Sequence, residues 1–179
     1  MKTAGTAGKV DLHNTSAKAF VLGDDVNTDL HCSSKYLPGK TMEYVASVAF
    51  EQLSPGMAGQ ISTAGGGILV AGENFGINSS REQAAHILQL LNIKGIVAKS
   101  FGRQFYRNAI NNGLPILECD ISQIKNGEEI SVDFSRGEIS TSSGVHLQAK
   151  ALPMEILALI EAGGLIAFLK INPDWNFAK

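Results

Sequence analysis

Cysteine is scarce in this sequence, and the charges almost balance. Only two cysteines, Cys32 and Cys119, occur among 179 residues, and their separation matches no disulfide framework or metal-ligand pattern. We therefore expect a reducing, cytoplasmic environment and no metal bound by this chain. The formal net charge of −2 leaves no cationic excess to attract a nucleic acid or an acidic membrane, so neither is expected as a partner.

Long uninterrupted apolar runs are also missing. Residues 1–20 contain no continuous apolar core, and the most apolar later stretch, ILALIEAGGLIAFL, is interrupted by Glu161 and two glycines. The sequence therefore predicts no signal peptide and no membrane span. Small anionic metabolites remain possible ligands, because binding them needs local positive charge and oriented amides rather than net charge.

The size of the chain favours one domain. A chain of 179 residues, 44% of them hydrophobic, is long enough for one full core. Residues 1–17 are rich in Gly, Thr, Ser and Ala without periodicity, so they are predicted to form a flexible N-terminal arm. Residues 18–179 are predicted to form the folded domain.

Short apolar runs alternate with helical patterns along the chain. The predicted strands are KAFVLG, GGGILVAG, GIVAKSF and LPILEC, and the predicted helices are TMEYVASVAFEQL, SSREQAAHILQLLNI and RQFYRNAINNG. This order favours an α/β layer with parallel strands. EEISVDF and EISTSS follow as a predicted hairpin, and LPMEILALIEAGGLIAFLK as a final helix that Gly163 and Gly164 can interrupt.

Two adjacent serines and an arginine occur where the loop ENFGIN precedes a predicted helix. Ser79 and Glu82 fit Ser-x-x-Glu, a capping box whose role is usually structural. A functional interpretation is also open, because the free amides of a helix N-terminus after a buried strand suit a carboxylate. Arg81 would oppose the helix dipole there, whereas its guanidinium matches a carboxylate in bidentate geometry.

A serine nucleophile is not indicated. The strained Gly-x-Ser-x-Gly turn is absent from this segment, and no histidine base is evident. His86 follows Ser79 by about two helical turns and is interpreted as a surface or partly buried histidine. If Ser79 is a base, its alkoxide needs stabilisation by amides and by Arg81.

Three motifs, taken in order, resemble one known family. GDDVNTD, GILVAGENFGINSSREQAA and IVAKSFGRQFYRNAINNGLPILE are similar to the small subunits of isopropylmalate isomerase and their relatives in the aconitase superfamily. The resemblance runs from about Phe20 to Asp120, with a compatible C-terminal region. It implies an α/β fold: a single swivelling β/β/α three-layer domain that closes over a large subunit.

The resemblance also implies the chemistry and the partner. In the family reaction, a four-iron four-sulfur cluster acts as a Lewis acid on the substrate, water leaves, and water returns to the neighbouring carbon. A cluster needs several thiolate ligands, and two cysteines cannot supply them, so the cluster is expected on the large subunit. The chain is expected to be a hydro-lyase small subunit, active only in a heterodimer or heterotetramer with that partner.

The matching positions imply the roles of individual residues. Ser79 is expected to be the base that removes a proton from the carbon beside a carboxylate, while Ser80 and Arg81 hold substrate carboxylates. Asp29 matches the family's active-site aspartate, although an aspartate in such a turn is often only a cap. Lys40 lies in KYLPGKT, the segment that distinguishes substrates, and is either a contact to a charged substrate tail or a solvated lysine.

Several departures from the family pattern leave the substrate open. The usual Gly-Cys-Gly before the serines is Gly76-Ile77-Asn78 here, and the asparagine side chain is expected beside Ser79, although asparagine tolerates a left-handed backbone. The aliphatic residues that usually follow the aspartate are replaced by LHCSS, and Gln83 replaces the commonest histidine, as in the homoaconitase branch.

Isopropylmalate, an intermediate of leucine biosynthesis, is the expected substrate. One alternative is a homoaconitate, dimethylmalate or methylmalate-type hydratase, which Lys40 and the REQAA pattern favour. Another is a non-catalytic module that binds a carboxylate or assembles with the large subunit, which Ile77 and Asn78 favour.

Overall fold

The structure is a computed structural model that describes residues 11–32 and 39–175. One seven-stranded sheet in the order β4-β3-β2-β1-β5-β6-β7 lies at its centre. The strands are β1 (Thr15–Val21), β2 (Gly67–Ala71), β3 (Ile93–Ala98), β4 (Ile116–Glu118), β5 (Glu129–Asp133), β6 (Glu138–Thr141) and β7 (His146–Gln148). The helices are α1 (Thr28–His31), α2 (Met42–Ser47), α3 (Met57–Thr63), α4 (Gln83–Leu90), α5 (Arg103–Asn111), α6 (Met154–Glu161) and α7 (Leu165–Ile171).

The four strands β1 to β4 are parallel, as the alternation of strands and helices predicts. Every residue of β2 is buried, because this strand lies between two neighbours and has packing on both faces. The carboxyl ends of parallel strands meet at one edge of a sheet. The segments that follow β1 and β2 therefore lie next to each other at that edge.

The strand β1 joins this parallel half to an antiparallel half. Its residues 15–18 pair antiparallel with β5, while residues 19–21 pair parallel with β2. The predicted hairpin is present as β5 and β6, with Ile130 and Val132 buried at alternate positions. A third antiparallel strand, β7, extends it.

Aromatic rings fix the segment after β2 against α5. The Phe75 ring lies 5.1 Å from the Phe105 ring and 6.1 Å from the Phe101 ring, with edge-to-face geometry in both pairs. Phe75 also forms an isolated parallel bridge with Phe101. Each such ring pair contributes about 0.5–1.5 kcal/mol beyond its buried area. This packing holds the chain just before the two serines.

The boundaries of two elements differ from the sequence predictions. β1 begins at Thr15, and Leu12 is buried against the sheet, so the predicted arm does not extend to residue 17. Residues 1–10 lie outside the described part. The helix predicted over TMEYVASVAFEQL ends at Ser47, because the chain turns at Phe50, which has a φ of 62° and donates its N–H to the His31 carbonyl.

The last helical segment is interrupted as predicted, since Gly163 and Gly164 take φ values of 87° and 107° between α6 and α7. Gly113 follows α5 in the left-handed conformation, with a φ of 73°. No helix in the described ranges is long and apolar enough to cross a membrane.

Candidate active site

Two segments at the carboxyl edge of the parallel strands are joined by hydrogen bonds. The Asp25 N–H donates to the Glu73 carbonyl over 2.8 Å, and the Glu73 N–H donates to Asp24 Oδ1 over 2.7 Å. Farther along, the Gly76 N–H donates to the Val26 carbonyl over 2.7 Å. The segment after β1 and the segment after β2 thus form one connected platform.

Gly76 is required at the centre of this platform. Its φ is 80°, and a Cβ built on it would lie 2.3 Å from the Phe105 Cβ. A Cβ on Gly102 would likewise lie 2.6 Å from the Gly76 carbonyl oxygen. Because neither backbone leaves room for a side chain, the segment that carries the serines packs directly on the start of α5.

The short helix α1 places Asp29 at this platform. Asn27 caps the helix by accepting the Leu30 N–H at Oδ1 over 3.2 Å. Asp29 lies in the first helical turn and is only 6% exposed. A carboxylate so deeply buried needs hydrogen-bond donors around it.

The predicted site residues supply those donors. The Ser79 hydroxyl donates to Asp29 Oδ1 over 3.2 Å, and Ser79 is 1% exposed. The Ser80 N–H and hydroxyl both donate to Asp29 Oδ2, over 3.4 and 3.3 Å. Arg81 Nε lies 4.0 Å from Asp29 Oδ2 in an ion pair, with 40% of the arginine side chain exposed. The structure therefore brings together four of the five predicted site residues.

One further residue belongs to this cluster. Thr28, fully buried in the first turn of α1, forms a hydroxyl–hydroxyl hydrogen bond with Ser79. Sequence reasoning did not single it out, although it is the threonine of the NTD motif, directly before Asp29. The position of Thr28 in that motif was the sequence signal that could have identified it as a site residue.

The local role predicted for Ser79 and Glu82 is wrong. The helix α4 begins at Gln83, its N-cap is Glu82, and no side chain caps it. Ser79, Ser80 and Arg81 precede the helix in an irregular segment, because Asp29 holds them instead. Arg81 therefore does not lie in the first helical turn, and neither a capping box nor the free amides of the helix explain this sequence.

Lys40 is not joined to the cluster by any described contact. Its Nζ lies 5.0 Å from the centre of the Tyr44 ring, a cation–π arrangement. Most of the predicted specificity segment, residues 33–38, lies outside the described part of the chain. A contact between Lys40 and a substrate stays a prediction.

Asn78 and His86 have local roles. Asn78 has a φ of 56°, the left-handed conformation predicted for it, and its side chain is exposed. His86 Nε2 lies 2.7 Å from Asn112 Oδ1 and 3.7 Å from Glu82 Oε1. His86 is therefore a half-buried helix residue that pairs with α5, as predicted.

The described residues offer no site for a metal or a metal cluster. No group of three or more His, Cys, Asp or Glu side chains in the described ranges could hold a metal ion. Both cysteines are free, and burial of Cys32 raises the pKa of its thiol well above the ordinary value. An iron–sulfur cluster does not fit the ligands that this chain presents.

Three surface cavities of the described residues are lined by residues outside the cluster. These cavities have volumes of about 540, 540 and 390 Å³, and Asp29, Ser79, Ser80 and Arg81 line none of them. The first lies at the opposite end of the strands, near Thr15 and Ile93.

The fold and this cluster define a class of protein, the aconitase C-terminal domain, whose family model matches residues 34–121. The 3-isopropylmalate dehydratase small subunit of Lachnospira eligens is 42% identical over 160 residues, which cover 88% of this chain and 95% of that protein. Small subunit 1 of 3-isopropylmalate dehydratase from Archaeoglobus fulgidus is 40% identical over 155 residues, 86% of this chain and 95% of that protein.

A solved structure agrees with these relatives. The crystal structure of 3-isopropylmalate dehydratase from Methanocaldococcus jannaschii superposes with a TM-score of 0.81 at 32% identity, covering 89% of this chain and 95% of that one. The chain belongs to the family of 3-isopropylmalate dehydratase small subunits. The predicted aconitase-type α/β fold and the predicted family are thereby confirmed.

Proposed function

We propose that this chain is the proton-transferring half of a 3-isopropylmalate dehydratase, which interconverts 3-isopropylmalate and 2-isopropylmalate in leucine biosynthesis. The observation that carries the proposal is the cluster of Ser79, Ser80 and Arg81 around one buried carboxylate, that of Asp29. Membership of the family supports the choice of substrate. The cluster provides groups that can bind a carboxylic acid and accept a proton from its acidic neighbouring C–H bond.

Ser79 is the residue proposed to take the substrate proton. A serine hydroxyl is a poor base by itself. Here the Ser79 hydroxyl donates its proton to Asp29 Oδ1, and the two oxygen atoms are 3.2 Å apart. As Ser79 Oγ receives the proton of the substrate carbon, its own proton can pass to Asp29, so that the serine never carries a full negative charge.

Ser80 and Arg81 are proposed to bind substrate carboxylates. Ser80 is exposed, and its hydrogen bonds to Asp29 Oδ2 are long for their type. The ion pair between Arg81 and Asp29 lies at the limit of ion-pair distance and is partly solvated. It therefore contributes little to stability, and a substrate carboxylate can readily replace Asp29 as the partner of Arg81. A substrate carboxylate that replaces Asp29 at these donors gains a bidentate guanidinium partner.

The rest of the active site is proposed to come from a large subunit. Asp29, Ser79, Ser80 and Arg81 line none of the three cavities described above, whereas a ligand site normally encloses most of its ligand. The four-iron four-sulfur cluster that activates the substrate hydroxyl is assigned to that subunit, since the residues described here do not fit it. Two free cysteines support a cytoplasmic location for the complex.

Anaerobic reconstitution with the large subunit of the same organism tests the proposal. The assay follows the ultraviolet absorbance of the unsaturated intermediate from 3-isopropylmalate, with homocitrate, dimethylmalate and methylmalate-type acids in parallel. We expect turnover of 3-isopropylmalate. Turnover of one of the other acids alone would overturn the substrate assignment.

A complex that forms in full and carries its iron, but turns over none of these acids, would instead favour the non-catalytic module. The exposed Asn78 is then the first residue to revert to the family's glycine, through Asn78→Gly. Restored activity in that variant would show that the loop, rather than the cluster around Asp29, limits catalysis.

A further inference from the structure

Thr28 is the only residue of the described cluster to which the family motifs give no role. It is a polar side chain with no exposed surface, and it contacts the hydroxyl of Ser79. A buried hydroxyl without a partner is costly, and a burial site of this size would accept valine equally well. The hydroxyl therefore needs an explanation beyond packing.

The direction of the hydrogen bonds follows from counting protons. A serine or threonine hydroxyl has one proton and two lone pairs, and an ionised carboxylate only accepts. Ser79 donates its single proton to Asp29 Oδ1. In the bond between the two hydroxyls, Thr28 must then be the donor and Ser79 the acceptor.

This arrangement leaves Ser79 Oγ with one unused lone pair. Its proton points to Asp29, and one lone pair receives the proton of Thr28. We propose that Thr28 is a positioning residue: its hydroxyl fixes the orientation of Ser79, so that the remaining lone pair faces the substrate carbon. This inference rests on the proposed function, in which Ser79 takes the substrate proton.

The backbone of Thr28 is well suited to this task. The Thr28 carbonyl accepts the Cys32 N–H over 2.8 Å, and the side chain of Asn27 caps the same helix. Because threonine is branched at Cβ, few χ1 rotamers are open to it. The donor is therefore held rigidly, and it also faces Ser79 Oγ when negative charge develops there.

The test compares Thr28→Val, which keeps the shape, with Thr28→Ser, which keeps the hydroxyl, in the complex reconstituted with the large subunit. We expect Thr28→Val to lower kcat by about 10- to 100-fold with little change in KM, because a misdirected reacting group costs this much. Thr28→Ser should restore most of kcat. An unchanged kcat in Thr28→Val, or equal losses in both variants, would overturn the proposal.

A matched control separates positioning from stability. Thr141 is also buried, and its hydroxyl bonds to Ser143 Oγ over 2.8 Å in the antiparallel half of the sheet. Thr141→Val should lower the melting temperature without changing kcat per intact complex. If both threonine variants lower kcat in proportion to melting temperature, Thr28 is merely structural.

Two further measurements keep this inference distinct from the proposed function. If Ser79→Ala is fully active, the proposed function fails first and the role of Thr28 fails with it. If Ser79→Ala lowers kcat to a residual level, adding Thr28→Val to it should cause no additional loss. A crystal structure of Thr28→Val should show Ser79 in more than one rotamer, and a single unchanged rotamer would contradict the inference without reference to activity.

Discussion

Ser79 Oγ lies 3.2 Å from Asp29 Oδ1, although 50 positions separate the two residues in the chain. The contact exists because β1 and β2 are parallel neighbours and the segments that follow them are joined by backbone hydrogen bonds. The geometry of the site thus depends on the edge of the sheet and not on a helix end.

Replacing Ser79 with alanine tests the proton transfer. We expect Ser79→Ala to lower kcat by about 10²–10⁴-fold, because it removes the proposed proton acceptor. The free energy of unfolding should fall by about 1–3 kcal/mol, because the buried Thr28 hydroxyl and Asp29 Oδ1 each lose a hydrogen-bond partner. Steady-state kinetics of the complex and urea denaturation of the chain measure the two effects.

Ser131→Ala is the control for that variant. Ser131 lies in β5, and its hydroxyl donates to Asn14 Oδ1 over 2.7 Å, away from the cluster. Its loss should leave kcat unchanged. Equal activity of the two variants would remove Ser79 from the mechanism.

Replacing Arg81 with lysine tests carboxylate binding. We expect Arg81→Lys to raise KM for 3-isopropylmalate more than it lowers kcat, because a point charge cannot reproduce the planar guanidinium fork. Arg136→Lys is a matched control, since Arg136 Nε also lies 4.0 Å from an aspartate, Asp133. An unchanged KM in Arg81→Lys would show that Arg81 does not bind the substrate.

Two glycine-to-alanine variants should change stability in opposite directions. Gly76→Ala places a Cβ against Phe105 at a φ of 80°, so we expect a loss of about 1–3 kcal/mol from overpacking, with backbone strain in addition. Gly59 lies in α3 with no atom within 4 Å of its Cβ position. Gly59→Ala should therefore gain about 0.5–1 kcal/mol. Urea denaturation measures the free energy of unfolding of both variants, and a change of the same sign in both would contradict the packing described around Gly76.

Burial of Cys32 should make stability depend on alkaline pH. Its pKa is raised in the folded chain, so above the ordinary thiol value of about 8.5 the unfolded chain loses this proton first. The free energy of unfolding should therefore decrease as the pH rises beyond that value. Cys32→Ala should show a smaller decrease between pH 7 and pH 10 in urea denaturation. The same decrease in both proteins would assign the effect to other groups.

The sequence was sufficient to predict the parallel strands, because β2 and β3 are nearly continuous apolar runs bounded by glycines and polar residues. The cluster residues were predicted from motif resemblance, and the structure shows them in contact. The helices α1 and α3 and the strand β7 were not predicted. Each has only three to seven residues, and such short elements carry little periodicity.

The start of α4 shows why local patterns can mislead. Ser79 and Glu82 have the spacing of a capping box, and that pattern alone predicts a helix from Ser79. Asp29, far away in sequence, takes the hydroxyl of Ser79 and the N–H of Ser80 instead. Asp29, a long-range partner, therefore replaces the local partner that the capping box would provide. The sequence immediately around Ser79 does not reveal this.

The strand β1 has a consequence for the order in which the chain can fold. Its first half pairs with β5, so that Thr15 lies opposite Val132, although more than one hundred residues separate them. During synthesis on the ribosome, the second edge of β1 stays uncovered until β5 has been made, which requires most of the chain. The parallel half can form first, whereas the pairing of β1 with β5 completes the sheet late. Until then one edge of β1 is unpaired, and nascent chains are most exposed to association with one another through that edge.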